Sequence, residues 1–277
     1  MKKEQAFGYA FPLSLQMAAP PTLEDSAFHE VLADLQQNGF YGVELNITDF
    51  ESYSPQQYIE VLEKFNLKLT KIATGAYAKQ NGLSLSSLNP EVRRKSVASV
   101  KKIVEFAAQI PCGIICGFMK GPAGENKAAA SETMKKSLAE LSDTVRQYKV
   151  PLIVEATNHY EASVAVSVQQ AASLVQEFEN PYLQILPDSY HMSIEEKDMA
   201  YALLKNRSFF QQVHLSDNNR YFPGYGAINF FEFLCVLKGM DYNGTIAVEG
   251  NLCNSLRQDI AFTAAYLQNV SKRLETL

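Results

Sequence analysis

Short apolar runs and helix-like stretches alternate along the whole of this chain, and that alternation sharply limits what it can fold into. The runs are AFGYAFPL (6–13), FYGVELNI (40–47), LKLTKIAT (67–74), CGIICGF (112–118), PLIVEA (151–156), YLQILPD (182–188), FFQQVHLS (209–216) and GTIAVEG (244–250). Near-continuous apolar runs of this length, bounded by turn residues, read as parallel strands buried on both faces. Helical patterns fall between them, near 23–38, 55–66, 127–149, 161–178, 195–206, 228–239 and 254–273. One more helix starts at Asn89-Pro90, where Asn89 can cap and Pro90 suits the first turn. Eight such units in 277 residues predict a closed (β/α)8 TIM barrel, which takes about 250 residues, rather than an open doubly wound sheet. No linker or shift in composition divides the chain, so residues 1–277 read as one domain.

Hydrophobic residues make up 47% of the chain and charged residues 20%, enough for a large core. The net charge of −5 argues against a nucleic-acid partner, whose phosphates call for clustered Lys and Arg. No run of 18 apolar residues occurs, so no membrane-spanning helix is expected. The start, MKKEQAFGYAFPLSLQMAAP, superficially resembles a signal peptide. However, polar residues and Pro12 interrupt its apolar region, and the barrel needs this segment as its first strand. A cytoplasmic protein is the expectation. The four cysteines, Cys112, Cys116, Cys235 and Cys253, lack paired C-x-x-C units and read as buried free thiols.

The second half carries the chemistry. Glu155, Asp188, His214 and Glu249 each end one of four successive runs. In a barrel, strand carboxyl ends are where active sites sit, so the four side chains converge. Three oxygen donors and one nitrogen suit one divalent metal ion: Mn²⁺, Mg²⁺, Co²⁺ or Zn²⁺. Ion pairing across the barrel mouth is the plain alternative for any one of them, but less so for all four together.

The segments QVHLSDNNRYFPGYGAINF (212–230), VEATNHYE (154–161), PDSYH (187–191) and AVEG (247–250) together resemble the xylose-isomerase-like TIM barrel superfamily. The branch of sugar isomerases and epimerases that includes D-tagatose 3-epimerase, D-psicose 3-epimerase and hydroxypyruvate isomerase fits best. GFYGVEL (39–45) and LSLSSLNPEVRRKSV (83–97) extend the resemblance over nearly the whole chain. It implies Glu155 and Glu249 as metal ligands and catalytic acid/base pair, with Asp188 and His214 as further ligands. His191, Arg220 and Glu161 are implied to bind substrate, a small sugar, and homo-oligomers are common in the branch.

The implied reaction removes a proton beside a carbonyl and returns it elsewhere or on the other face. A divalent ion stabilises the enediolate, while two carboxylates serve as base and acid. A dehydratase of the inosose type and a non-catalytic sugar-binding barrel are the alternatives. An abasic-site endonuclease of the superfamily would need more histidines than the four present.

Several residues stay open at this stage. Asp217 reads as orienting His214 or Arg220. Lys120, at the barrel mouth, reads as an ordinary exposed lysine, with contact to an anionic substrate group as the alternative. Glu44 lines the floor of the site or makes a structural pair. His29 and His159 read as solvent-facing.

Overall fold

A computed structural model describes residues 8–124 and 126–276. Eight strands follow one another: β1 (Leu13–Ala18), β2 (Gly42–Asn46), β3 (Lys68–Ala73), β4 (Gly113–Cys116), β5 (Leu152–Glu155), β6 (Leu183–Leu186), β7 (Gln212–Leu215) and β8 (Thr245–Val248). All pair in parallel, in the order β6-β5-β4-β3-β2-β1-β8-β7. The remaining seam, between β6 and β7, closes just past the strand ends. There Asp188 and His214 form a parallel bridge, and the His214 N–H donates to Pro187 O at 2.9 Å. The eight parallel strands therefore make the expected barrel, in which closure and the candidate site coincide.

Among the described residues, ten α-helices surround the strands: α1 (Ser26–Gln37), α2 (Pro55–Glu63), α3 (Gly75–Asn81), α4 (Pro90–Ala107), α5 (Lys127–Tyr148), α6 (Val168–Gln176), α7 (Ser189–Glu195), α8 (Met199–Lys205), α9 (Phe230–Gly239) and α10 (Leu256–Glu275). Caps set their starts. Asn89 accepts from Glu91 N at α4, as expected, and Ser54 with Gln57 forms a capping box at α2. The main core lies between helices and strands. Inside the barrel, Ile115, Ile153 and Leu186 form a separate apolar cluster.

Three expected boundaries are corrected. The first strand begins at Leu13, where it was expected to end, and residues 6 and 7 of that expectation lie outside the described residues. Pro12 has no N–H to give a ladder. Tyr9 and Phe11 instead pack edge-on against Phe40 and Tyr242 at the amino-terminal end of the barrel. The helix expected over 161–178 begins at Val168. Ala165 before it has φ of 54°, in the left-handed region that a helix excludes, and Ser167 then caps the new start. The helix expected over 195–206 shrinks to α8, and a separate short helix, α7, ends where it was expected to begin. Glu196 is extended, and Asp198 restarts the chain by accepting from Tyr201 N.

Candidate active site

The four expected ligands come together. One donor atom each from Glu155, Asp188, His214 and Glu249 lies within 4.8 Å of every other, a cluster that can hold a metal ion. His214 Nδ1 is 2.7 Å from Glu249 Oε2, 3.6 Å from Glu155 Oε1 and 3.8 Å from Asp188 Oδ2. Glu155 Oε1 is buried and has no hydrogen-bond partner among the described residues. Such an orphaned acceptor is costly, and a cation would satisfy it. The residues present fit a hard divalent ion.

Local structure explains each position. Asp188 is the N-cap of α7: its Oδ1 accepts from Tyr190 N at 2.8 Å and His191 N at 3.2 Å. That leaves Oδ2 for the cluster and for Arg220. The Asp-x-x-His spacing is therefore a capping geometry, and it turns His191 toward the cavity above the cluster. Asn158 donates to His191 Nδ1 from its backbone N–H at 3.1 Å, with its side-chain amide 2.8 Å from the same atom. The proton of the neutral ring accordingly sits on Nε2.

Arg220 lines the cavity and bridges two of the ligands, at 2.9 Å to Asp188 Oδ2 and 3.0 Å to Glu249 Oε1. Burial works against its charge, but Glu249 and Asp188 outweigh burial and raise its pKa. Burial also disfavours a charged Glu249, yet Arg220 and His214 hold that carboxyl well below the usual range. His214 is fully buried, and Glu44 and Glu249 beside it raise its pKa well above the ordinary value despite that burial. Glu161 is exposed at the cavity rim. It lies in the loop before α6 rather than on a helix.

The open residues resolve as follows. Glu44, fully buried, takes His214 Nε2 at 2.8 Å, so it sits behind the site rather than on its floor. Asp217 touches neither the His214 nor the Arg220 side chain. Its carboxylate accepts from the N–H groups of Asn218, Gly224, Gly226 and Ile228 at 2.9–3.0 Å. It thus builds the turn on which Arg220 sits with φ of 65°.

Lys120 is not exposed. It is wholly buried and donates to Glu155 O at 2.9 Å and Thr157 Oγ1 at 2.5 Å, and burial brings its pKa down to about 8. His29 is half-buried, bonded to Leu23 O and packed on Phe65, because the α1–α2 side of the barrel covers it. His159 is exposed, as expected, and pairs with Glu195. Cys112 and Cys116 are buried, but Cys253 is exposed in the loop after β8. No helix among the described residues is long and apolar enough to cross a membrane.

Sequence reasoning did not find several residues that shape the cavity: Gln16, Asn46, Thr74, Thr157 and Phe118. Gln16 and Asn46 lie on strands whose ends carry no charged signal. Thr74 and Phe118 end two of the expected apolar runs and Thr157 lies in VEATNHYE, but all three fall just past the observed strand ends and none carries a charge or imidazole to mark it.

An acidic centre with one imidazole, able to hold a metal ion, at the carboxyl ends of an eight-stranded barrel defines a class of (β/α)8 proteins. Within it the chain belongs to the family described as Xylose isomerase-like TIM barrel, whose profile matches residues 32–266. A probable ketose 3-epimerase from Synechocystis sp. is 26% identical over 228 residues, 79% of this chain and 77% of that protein. A 3-dehydro-D-guloside 4-epimerase from Escherichia coli is 32% identical over 116 residues, 42% of this chain and 44% of that protein. Among solved structures, the apo form of 3-keto-D-glucoside 4-epimerase from E. coli superposes with a TM-score of 0.79 at 22% identity. It covers 94% of this chain and 99% of its own.

Proposed function

We propose that this protein is a metal-dependent epimerase of a small, uncharged ketose or related hydroxy-carbonyl compound, with Glu155 and Glu249 as the proton-transferring pair. The observation that carries the reading is the pairing of two carboxylates from strand ends three strands apart on one cavity, with a ligand set for a single cation between them. The kinship to proteins named ketose 3-epimerase supports the class of substrate.

Glu155, Asp188, His214 and Glu249 would hold a divalent ion, which would supply Lewis-acid polarisation of the substrate carbonyl. The chain's own residues do the rest. Glu249, kept ionised by Arg220 and His214, is suited to take a proton from the carbon beside the carbonyl. Glu155 reaches the same space from β5 and returns a proton to the other face, after which solvent exchange resets the pair. His191 offers its Nε2–H to substrate oxygen where negative charge grows. Glu161 at the rim accepts from substrate hydroxyls.

The cavity also speaks to substrate charge. The Arg220 guanidinium is already held by two carboxylates, and the Lys120 ammonium points to Glu155 O and Thr157. Of the polar lining that remains, Gln16, Asn46 and Thr74 are neutral and Glu161 is acidic, which leaves no further cation among the described lining residues to meet a phosphate. A free sugar fits that lining better than a phosphorylated one.

The test is turnover of free pentuloses and hexuloses by the parent and by E155Q and E249Q. Each variant should lose at least about 10²–10⁴ in kcat, with circular dichroism and melting temperature like the parent's. Near-parental turnover in both variants refutes the acid/base roles.

A further inference from the structure

Beneath the ligands, the barrel interior holds a second layer unlike the branched aliphatic fill usual there. Alternation along β7 turns Gln212 and His214 to the same inward side. Register sets Glu44 of β2 beside Gln16 of β1 and Lys71 of β3. From these strands a chain of contacts crosses the lumen. Lys71 Nζ donates to Gln212 Oε1 at 3.3 Å, and the Thr245 hydroxyl donates to the same oxygen. Gln212 Nε2 donates to Glu44 Oε1, and Glu44 Oε2 meets His214 Nε2 at 2.8 Å.

The direction of every bond in this column is determined. An ammonium only donates, so Gln212 must turn its oxygen to Lys71 and its amide nitrogen to Glu44. A carboxylate only accepts, so Glu44 draws the proton of His214 onto Nε2. The remaining ring nitrogen, Nδ1, is the one that faces Glu155, Asp188 and Glu249. None of Lys71, Gln212 and Glu44 lines the substrate cavity, so none is placed to act on substrate.

We propose that Lys71, Gln212 and Glu44 are positioning residues for the cation, a column that keeps the proton on Nε2 and fixes the orientation of the His214 ring, so that Nδ1 is the nitrogen that gives up its proton to the cation. This rests on the metal-site reading above. Partners behind a ligating histidine typically govern metal affinity by 10–100-fold, whereas a column that only holds the barrel together would shift melting temperature and leave the affinity of the folded protein alone.

The experiment is titration of the metal-free full chain with MnCl2 by calorimetry, alongside thermal melts and the visible spectrum of the Co²⁺-loaded protein. The parent should bind one Mn²⁺. E44Q should bind about 10–100-fold more weakly with an altered Co²⁺ spectrum. K71M, which lies a layer away from the ion, should lose roughly tenfold, and K71R should recover most of that loss. Should E44Q fail to fold, K71M with its K71R rescue decides alone. Variants that bind Mn²⁺ within about twofold of a binding parent overturn the column and leave the metal site standing. A parent that binds no Mn²⁺ overturns both.

Discussion

Gly117 illustrates how single positions aim the catalytic groups. A Cβ added there would overlap Glu155 Oε2, while the backbone φ of −84° lies outside the left-handed region that favours glycine. The consequence of G117A therefore falls on the carboxylate rather than on the chain. Displacing a catalytic group by about 1 Å can cost on the order of 10²-fold, so G117A should lower kcat by about that factor with a melting temperature close to the parent's. Steady-state kinetics checks this, and an unchanged kcat would contradict the role of Glu155. At this scale the convergence of Glu155, Asp188, His214 and Glu249 was legible because each ends an apolar run. Lys120 was not. Its burial depends on the Glu155 carbonyl and the Thr157 hydroxyl, 35 and 37 residues along the chain, and nothing in GFMKGP announces them.

Loops and helix starts account for most of the differences between expectation and structure. The length of α6 was overestimated because the buried segment before it, with Ala162, Val164 and Ala165, imitates a helical apolar pattern. Its real form is a loop tied to the one after β4, through Ala123 N to Glu161 O at 3.0 Å and Gly124 N to Ser163 Oγ at 2.5 Å. The loop after β7 was legible as important, although Asp217 positions Arg220 through the backbone of the turn rather than through the Arg220 side chain. Asp217 organises it by accepting four backbone N–H groups, and hydrogen bonds to a charged group are worth about 1.5–3 kcal/mol each. D217A leaves those donors without their acceptor. It should cost about 3 kcal/mol or more in urea unfolding and reduce activity through a loosened Arg220. A urea midpoint equal to the parent's would contradict that account.

For the molecule as a whole, eight strands in parallel order were readable because buried runs recur with helices between them, a regularity that only a few topologies satisfy. Closure at the β6/β7 seam was not readable. It depends on the backbone bridge between Asp188 and His214, residues that the sequence marks for their side chains. Joining seam and ligand set in one place links metal binding to the protonation of the site.

In the metal-free protein, His214 has a pKa well above its ordinary value, so at neutral pH its ring carries two protons. A cation at Nδ1 must displace one of them. Mn²⁺ binding should release about one proton and tighten as pH rises, measurable as the dependence of binding enthalpy on buffer ionisation enthalpy. Binding with no proton release, equally tight at pH 6 and pH 8, would contradict that charge state.

The most direct test of the central claim is solvent deuterium entry into a free ketose in D2O, followed by NMR with Mn²⁺-loaded protein before and after chelation. A ligand set that serves proton removal beside a carbonyl predicts deuterium at the epimerising carbon, lost on chelation and restored by Mn²⁺. Exchange that survives complete removal of the metal, or none with any free pentulose or hexulose, would contradict it.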